Sequence, residues 1–122
     1  MYDINIPNGF TIMKKDIPQM KVTWDDKLNI RSEWLTEDWF HSFILPQMYP
    51  ENITMGKMLD WLETRTVSRT RIGLDVLLRD LYKIDEYSPL LMTRLDHGVI
   101  YGDFTWIKWD GEDLTYDDIR VR

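Results

Sequence analysis

Between residues 10 and 31 the apolar and β-branched side chains come in short runs. Phe10-Thr11-Ile12-Met13-Lys14 and Lys21-Val22-Thr23-Trp24 lie either side of Pro18, Asp25-Asp26-Lys27 marks a turn, and Leu28-Asn29-Ile30-Arg31 alternates apolar with polar. A period of two between turn signals predicts a β-hairpin or meander with one buried face. Trp34, Leu35, Trp39, Phe40, Phe43, Ile44 and Leu45 then form a dense apolar stretch closed by Pro46. Its period selects neither element, although Thr36-Glu37-Asp38 carries a helix-opening signal.

The middle of the chain changes period. Met55, Met58, Leu59 and Leu62 recur at helical spacing with Trp61 beside them, behind Thr54 as N-cap. Ser68 or Thr70 is placed to cap a second helix whose buried positions are Leu74, Leu77, Leu78 and Leu81. Ser88-Pro89 opens a third, with Leu90, Leu91 and Leu95 inward and His97-Gly98 as its stop. Phe104 to Trp109 returns to alternation, with Phe104, Trp106 and Lys108 on one face and Thr105, Ile107 and Trp109 on the other. Asp110-Gly111 is a turn signal, and residues 114–121 read as a further strand or a short helical turn. The pattern predicts one α+β domain over residues 1–122: an N-terminal β-hairpin or meander, two to three central helices, and C-terminal strand. The two sheet-forming ends are expected to meet around the helical insert.

Composition adds a core and removes several chemistries. Hydrophobic residues make up 43% of the 122, with six Trp and six Tyr, enough to bury a substantial interior. Cysteine is absent, which excludes disulfides, a thiolate nucleophile and Cys-based zinc sites, and fits a reducing cytoplasm. The first residues lack a basic segment followed by an apolar run, so no signal peptide is expected. No apolar run approaches the roughly 18 residues that a membrane span needs. Among the four serines none stands in a Gly-x-Ser-x-Gly elbow, His41 and His97 have no metal-ligand spacing, and no phosphate-binding glycine loop occurs. Asp103-Phe104-Thr105 has no phosphoryl-transfer motifs around it. The chain is therefore read as non-catalytic and without a cofactor.

The net charge of −6 is unevenly spread: −3 over residues 1–60, +1 over 61–95 and −4 over 96–122. Two candidate surfaces follow. Asp110, Glu112, Asp113, Asp117 and Asp118 form an acidic stretch whose spacing is not that of a calcium loop and which suits a basic protein partner. Arg65, Arg69 and Arg71 sit at the predicted helix–helix turn, where Ser, Thr and Arg fit either a DNA-recognition element or a solvated turn paired to Glu63 or Asp75. An acidic chain disfavours general nucleic-acid affinity, which places the second reading behind the first. Trp24, Trp34, Trp39 and Trp109 lie near strand ends or in irregular segments and are candidates for exposed interface aromatics.

The segments Leu45-Pro46, Leu59-Asp60-Trp61-Leu62-Glu63-Thr64-Arg65, Ser68-Arg69-Thr70-Arg71, Leu77-Leu78, Gly98 and Asp103-Phe104-Thr105-Trp106-Ile107 follow one another in an order that resembles the region preceding the kinase core of HipA-like proteins. Those proteins belong to Gram-positive bacteria and their mobile elements. The similarity covers about half of the chain, and no kinase core follows. What the resemblance implies is a stand-alone module of phage or mobile-element origin with a regulatory or interaction role. The expected function is a protein-binding regulator or inhibitor of a host protein, with nucleic-acid-binding proteins among the candidate partners, acting through the acidic and aromatic surface. An inhibitor of CRISPR effectors is one specific form. The alternatives are a small DNA-binding regulator using Arg65, Arg69 and Arg71, and an accessory module of a HipA-like toxin system.

Overall fold

Strands β1 (Gly9–Lys14), β2 (Ile17–Trp24) and β3 (Ile30–Trp34) form an antiparallel meander, as the period-two segments require. After the helical insert, β4 (Thr105–Trp109) pairs antiparallel with β1, giving the order β3-β2-β1-β4. The two ends of the chain thus share one sheet, as expected. These descriptions rest on a computed structural model and cover residues 7–37, 44–100 and 104–119. Trp39, Phe40, Phe43 and Asp38 fall outside the described residues, so the helix signal at Thr36-Glu37-Asp38 is not decided.

Register explains which face is buried. Phe10 stands opposite Val22 and Trp109, and Ile12 opposite Met20 and Ile107. That apolar face is covered by α1 (Met55–Glu63) through Met58, Trp61 and Leu62, with Ile44 and Met48 filling its margin. Pro18 lies inside β2 rather than between strands. The ladder shifts register between Ile12 and Met13, where Pro18 faces Met13. β3 pairs only with the Met20-to-Trp24 part of β2, so Pro18 occupies a stretch with one strand neighbour and its missing N–H interrupts no second ladder. The turn at Asp25 is built as its residue type suggests: its carboxylate accepts from the Lys27 and Asn29 amides, each at 2.9 Å.

Thr54 caps α1, its hydroxyl accepting from the Lys57 amide at 3.1 Å. The second helix departs from expectation. Ser68 and Thr70 bond each other in a local turn, and α2 (Leu74–Leu77) begins only after Gly73, which is left-handed at φ 77°. It runs straight into a π-helical turn, Leu78–Tyr82, closed by left-handed Lys83. The wider turn rotates the buried stripe, so Tyr82 goes inside and Leu81 is left 62% exposed. In α3 (Pro89–Asp96), Ser88 caps and Pro89 takes the first position, both as expected. Its buried residues are Met92 and Thr93 instead of Leu90, Leu91 and Leu95, because the helix stands between two cores: Leu90 packs on the main one and Leu91 on a second. The second core is small, built from Leu78, Tyr82, Ile84 and Met92.

β4 is covered on both faces, with Trp106, Ile107 and Trp109 essentially buried. Asp110 and Gly111 make the expected turn, Gly111 at φ 88°, and α4 (Tyr116–Ile119) resolves the strand-or-helix alternative in favour of helix as far as residue 119. No helix among the described residues is long and apolar enough to cross a membrane.

The caps give a direct test. Thr54→Ala and Ser88→Ala should each cost about 1 kcal/mol in urea unfolding. Thr70→Ala, which caps no helix, should stay within about 0.5 kcal/mol of the parent.

Candidate partner-binding surfaces

Arg65 follows α1 and was expected at a solvated turn; it is instead 5% exposed. Its Nε donates to the Gly98 carbonyl at 3.1 Å and its Nη2 to the Thr105 carbonyl at 2.7 Å. The reason lies in the turn after α3. His97 is left-handed and stops the helix, and Gly98 follows at φ +63° with so little room that a Cβ there would lie 3.0 Å from Ile107 Cδ1 and 3.2 Å from Arg65 Cβ. The guanidinium therefore reaches carbonyls that a turn and a strand end would otherwise bury unpaired, which places Arg65 in the interior.

Beside it, Asp96 gathers the ends of several segments. Its carboxylate accepts from the Thr66 hydroxyl at 2.5 Å, the Tyr82 hydroxyl at 2.8 Å and the Gly98 amide at 2.9 Å. Burial nevertheless pushes its pKa above the ordinary 3.8, against the pull of those bonds. Burial, with the Asp96 charge adding to it, pushes the Tyr82 hydroxyl up to about 12.

The acidic stretch is largely taken up by the fold. Glu112 is not a surface acid: it accepts from Arg94 Nη1 at 3.0 Å and the Trp109 amide at 2.8 Å, and bonds His97 Nε2 at 2.8 Å. Its side chain is only 14% exposed. Sequence reading had no signal for this His–Glu pair, whose members are far apart in sequence and brought together by the turn after β4. Asp110 pairs with Lys21 across the sheet. Asp118 accepts from the Thr115 amide at 2.7 Å and from its hydroxyl, and these bonds lower its pKa. Asp113 and Asp117 are exposed. Among the described residues no three His or acidic side chains are grouped to hold a metal ion.

The basic set is likewise dispersed. Arg69 bonds Glu63 at 3.3 Å and lies over the Tyr87 ring at 4.5 Å, while Arg71 is exposed. Glu63 is thus the acid that pairs at this turn, by way of Arg69. Of the aromatic candidates, Trp109 is buried, while Trp24, edge-on against Phe10 and Trp109, and Trp34, against Tyr49, are half-buried. Trp39 lies outside the described residues.

What is exposed and apolar lies elsewhere. Ile72, just before α2, is 97% exposed, Val76 within it 46% and Leu81 in the π-helical turn 62%; Ile17, Leu28 and Phe104 are further exposed apolar residues elsewhere in the fold. Arg71, Arg79 and Lys83 stand among those of the α2 segment. A cleft of about 830 Å³ adjoins this segment, lined by Arg79, Lys83, Ile84, Asp85, Glu86, Tyr87, Ser88 and Leu91. A signal for it was present in the sequence, since Ile72 and Val76 are apolar yet stand off the Leu74-Leu77-Leu78 stripe. Comparison of the chain with protein-family models, with curated proteins and with solved structures gives no match.

Two tests follow from the buried polar groups. Arg65→Gln should destabilise the fold by about 3 kcal/mol in urea unfolding, since charge-assisted bonds to buried carbonyls are each worth about 1.5–3 kcal/mol. The pH dependence has a fixed sign: both Asp96 and Tyr82 are raised in the fold, so each contributes stability that is full below its unfolded value and lost as pH rises through its native one. For Tyr82 that loss falls between pH 10 and about 12, read by phenolate absorbance, and Tyr82→Phe should abolish it. Asp96→Asn should remove the loss that begins above pH 3.8.

Proposed function

We propose that this chain is a non-catalytic, cytoplasmic protein-binding regulator or inhibitor that acts by occupying a surface of a host protein. The observation that carries the reading is the solvent-exposed apolar set Ile72, Val76 and Leu81 on the α2 segment. Isolated exposed apolar side chains are ordinary, but several on one short segment beside a cleft are what interaction surfaces present. The reading moves the binding surface from the acidic stretch to α2, because Asp110, Glu112 and Asp118 are already engaged within the fold.

DNA binding through Arg65, Arg69 and Arg71 is less well supported. One of the three is buried, a second is paired, and too few cations remain to neutralise a run of phosphates. A phage or mobile-element origin rests on the sequence resemblance alone. The residues that carry that resemblance and have described positions include Trp61, Leu62, Arg65, Gly98, Trp106 and Ile107, which build the core and the Arg65 clamp. They therefore speak for a shared scaffold and leave inhibition of a CRISPR effector, or service to a HipA-like toxin, as forms the same binding role takes.

A photo-crosslinking residue placed at position 72 should yield a discrete protein adduct in host cells. The same residue at Lys27, exposed in the turn between β2 and β3, should not. Leu81→Asp should abolish the adduct without changing the circular dichroism spectrum. Equal adducts at both positions, or none at positions 72, 76 and 81, would overturn the proposal.

A further inference from the structure

We infer that a second copy of this chain docks on the edge strand β3, pairing antiparallel about a two-fold axis at Ser32 and joining the two sheets into one. The surface is separate from the α2 segment, and the inference stands apart from the reading above. β3 ends the sheet order β3-β2-β1-β4, and among the described residues no strand lies on its outer side. The ladder to β2 fixes which groups face outward. It is bracketed by amide-to-carbonyl bonds from Asp25 to Asn29 at 3.2 Å and from Leu35 to Gln19 at 2.9 Å. Bonding alternates along an antiparallel pair, so Arg31 and Glu33 bond to β2, while Ile30, Ser32 and Trp34 turn their N–H and C=O groups away from it. Those of Ile30 and Ser32 have no hydrogen-bond partner among the described residues. Ser32 is covered from the core side, where its hydroxyl donates to the Met48 carbonyl at 2.7 Å. A cleft of about 510 Å³, whose lining includes Asn29, Ile30 and Arg31, opens at the same edge.

The side chains of β3 select the occupant, because the strand is complementary to itself in charge. Pairing about Ser32 sets Arg31 opposite Glu33 of the second copy, and the two-fold axis repeats the contact, giving two ion pairs. Both side chains are exposed, and neither has an ion pair among the described residues. An axis one residue away would set Arg31 on Arg31 or Glu33 on Glu33, so the charges also specify the register. Lys21, the cation beside Glu33 within the chain, is already paired to Asp110. On the other face the same register brings Ile30 against Trp34 of the second copy. Both are half-buried at the margin of the main core, and their contact extends that core across the junction. The association closes at two copies. At the outer edge of β4, Thr105 and Ile107 are taken by Arg65 and His97, so the joined sheet offers no further edge of the β3 kind. A five-residue strand makes a small contact, in the class below about 1,200 Å² where association is weak and transient.

Sedimentation equilibrium of the intact protein, taken up to about 1 mM to reach the range of weak contacts, should show a reversible monomer–dimer equilibrium. Arg31→Glu and Glu33→Arg should each lower the association constant at least about tenfold with the circular dichroism spectrum unchanged, since two attractive cross-strand pairs become two repulsive ones. The two variants mixed should form a heterodimer as strong as the parent dimer, and Arg31→Glu/Glu33→Arg together should recover self-association. Amide exchange at Ile30 and Ser32 should slow as concentration rises, while that at Arg31 and Glu33, already bonded to β2, should not change. A protein that stays monomeric at every concentration, or a dimer that charge reversal leaves intact, would overturn the proposal. Concentration-dependent protection confined to residues 71–83 would move self-association to the α2 segment and overturn it likewise. A displayed random-peptide library that enriches extended peptides protecting Ile30 and Ser32 of a monomeric protein would replace the second copy with a strand of another protein.

Discussion

A buried guanidinium ties the end of α1 both to the turn after α3 and to the sheet. Arg65 leaves α1 at its C-terminal end, and its bonds to the Gly98 and Thr105 carbonyls land on the turn after α3 and on the start of β4. The geometry works only because Gly98 has no side chain and adopts a positive φ. It also disposes of an edge. Among the described residues the outer side of β4 has no strand beside it, yet the Thr105 carbonyl takes Arg65 and the Ile107 amide donates to the His97 carbonyl at 2.8 Å. Those two groups would otherwise stand open to another chain, and strand edges left open in that way invite aggregation.

From that junction the molecule divides into a large core and a small one, with α3 between them. The large core has the sheet behind it and several aromatic side chains, and α1 sits squarely on it. The small core has four buried side chains to hold all of residues 67–91 in place. Few buried contacts imply low local stability, and segments of that kind are the ones proteins use for binding. The π-helical turn belongs to the same compromise: it brings Tyr82 inward to reach Asp96 and turns Leu81 outward.

Several of the chain's carboxylates serve the fold itself. Asp96, Glu112, Asp118 and Asp25 each accept hydrogen bonds that shape a turn or fasten two elements, and Asp110 pairs with Lys21 across the sheet. A carboxylate is suited to this work because it accepts at both oxygens and binds amides more strongly than a neutral group does. The basic side chains divide as well: Arg65 is interior, while Arg71 and Lys83 remain at the surface with the exposed apolar residues.

The sequence by itself determined the α+β class, the meander, the meeting of the two ends in one sheet, and the caps at Thr54 and Ser88. Each is encoded locally, by a period of two or 3.6, a turn residue or a capping hydroxyl. Tertiary structure decided the rest. Nothing near Arg65 in the sequence shows that a carbonyl 40 residues away will claim it. The register of the second helix was also out of reach, since a π turn changes which side is buried without changing composition. Glu112 could be told from Asp113 only by folding, because the two adjacent acids differ in what the turn after β4 brings beside them. The exposed apolar residues around α2 were half legible: Ile72 and Val76 stand off the helical stripe in the sequence, but exposure is a property of what fails to pack, and only the folded chain shows that.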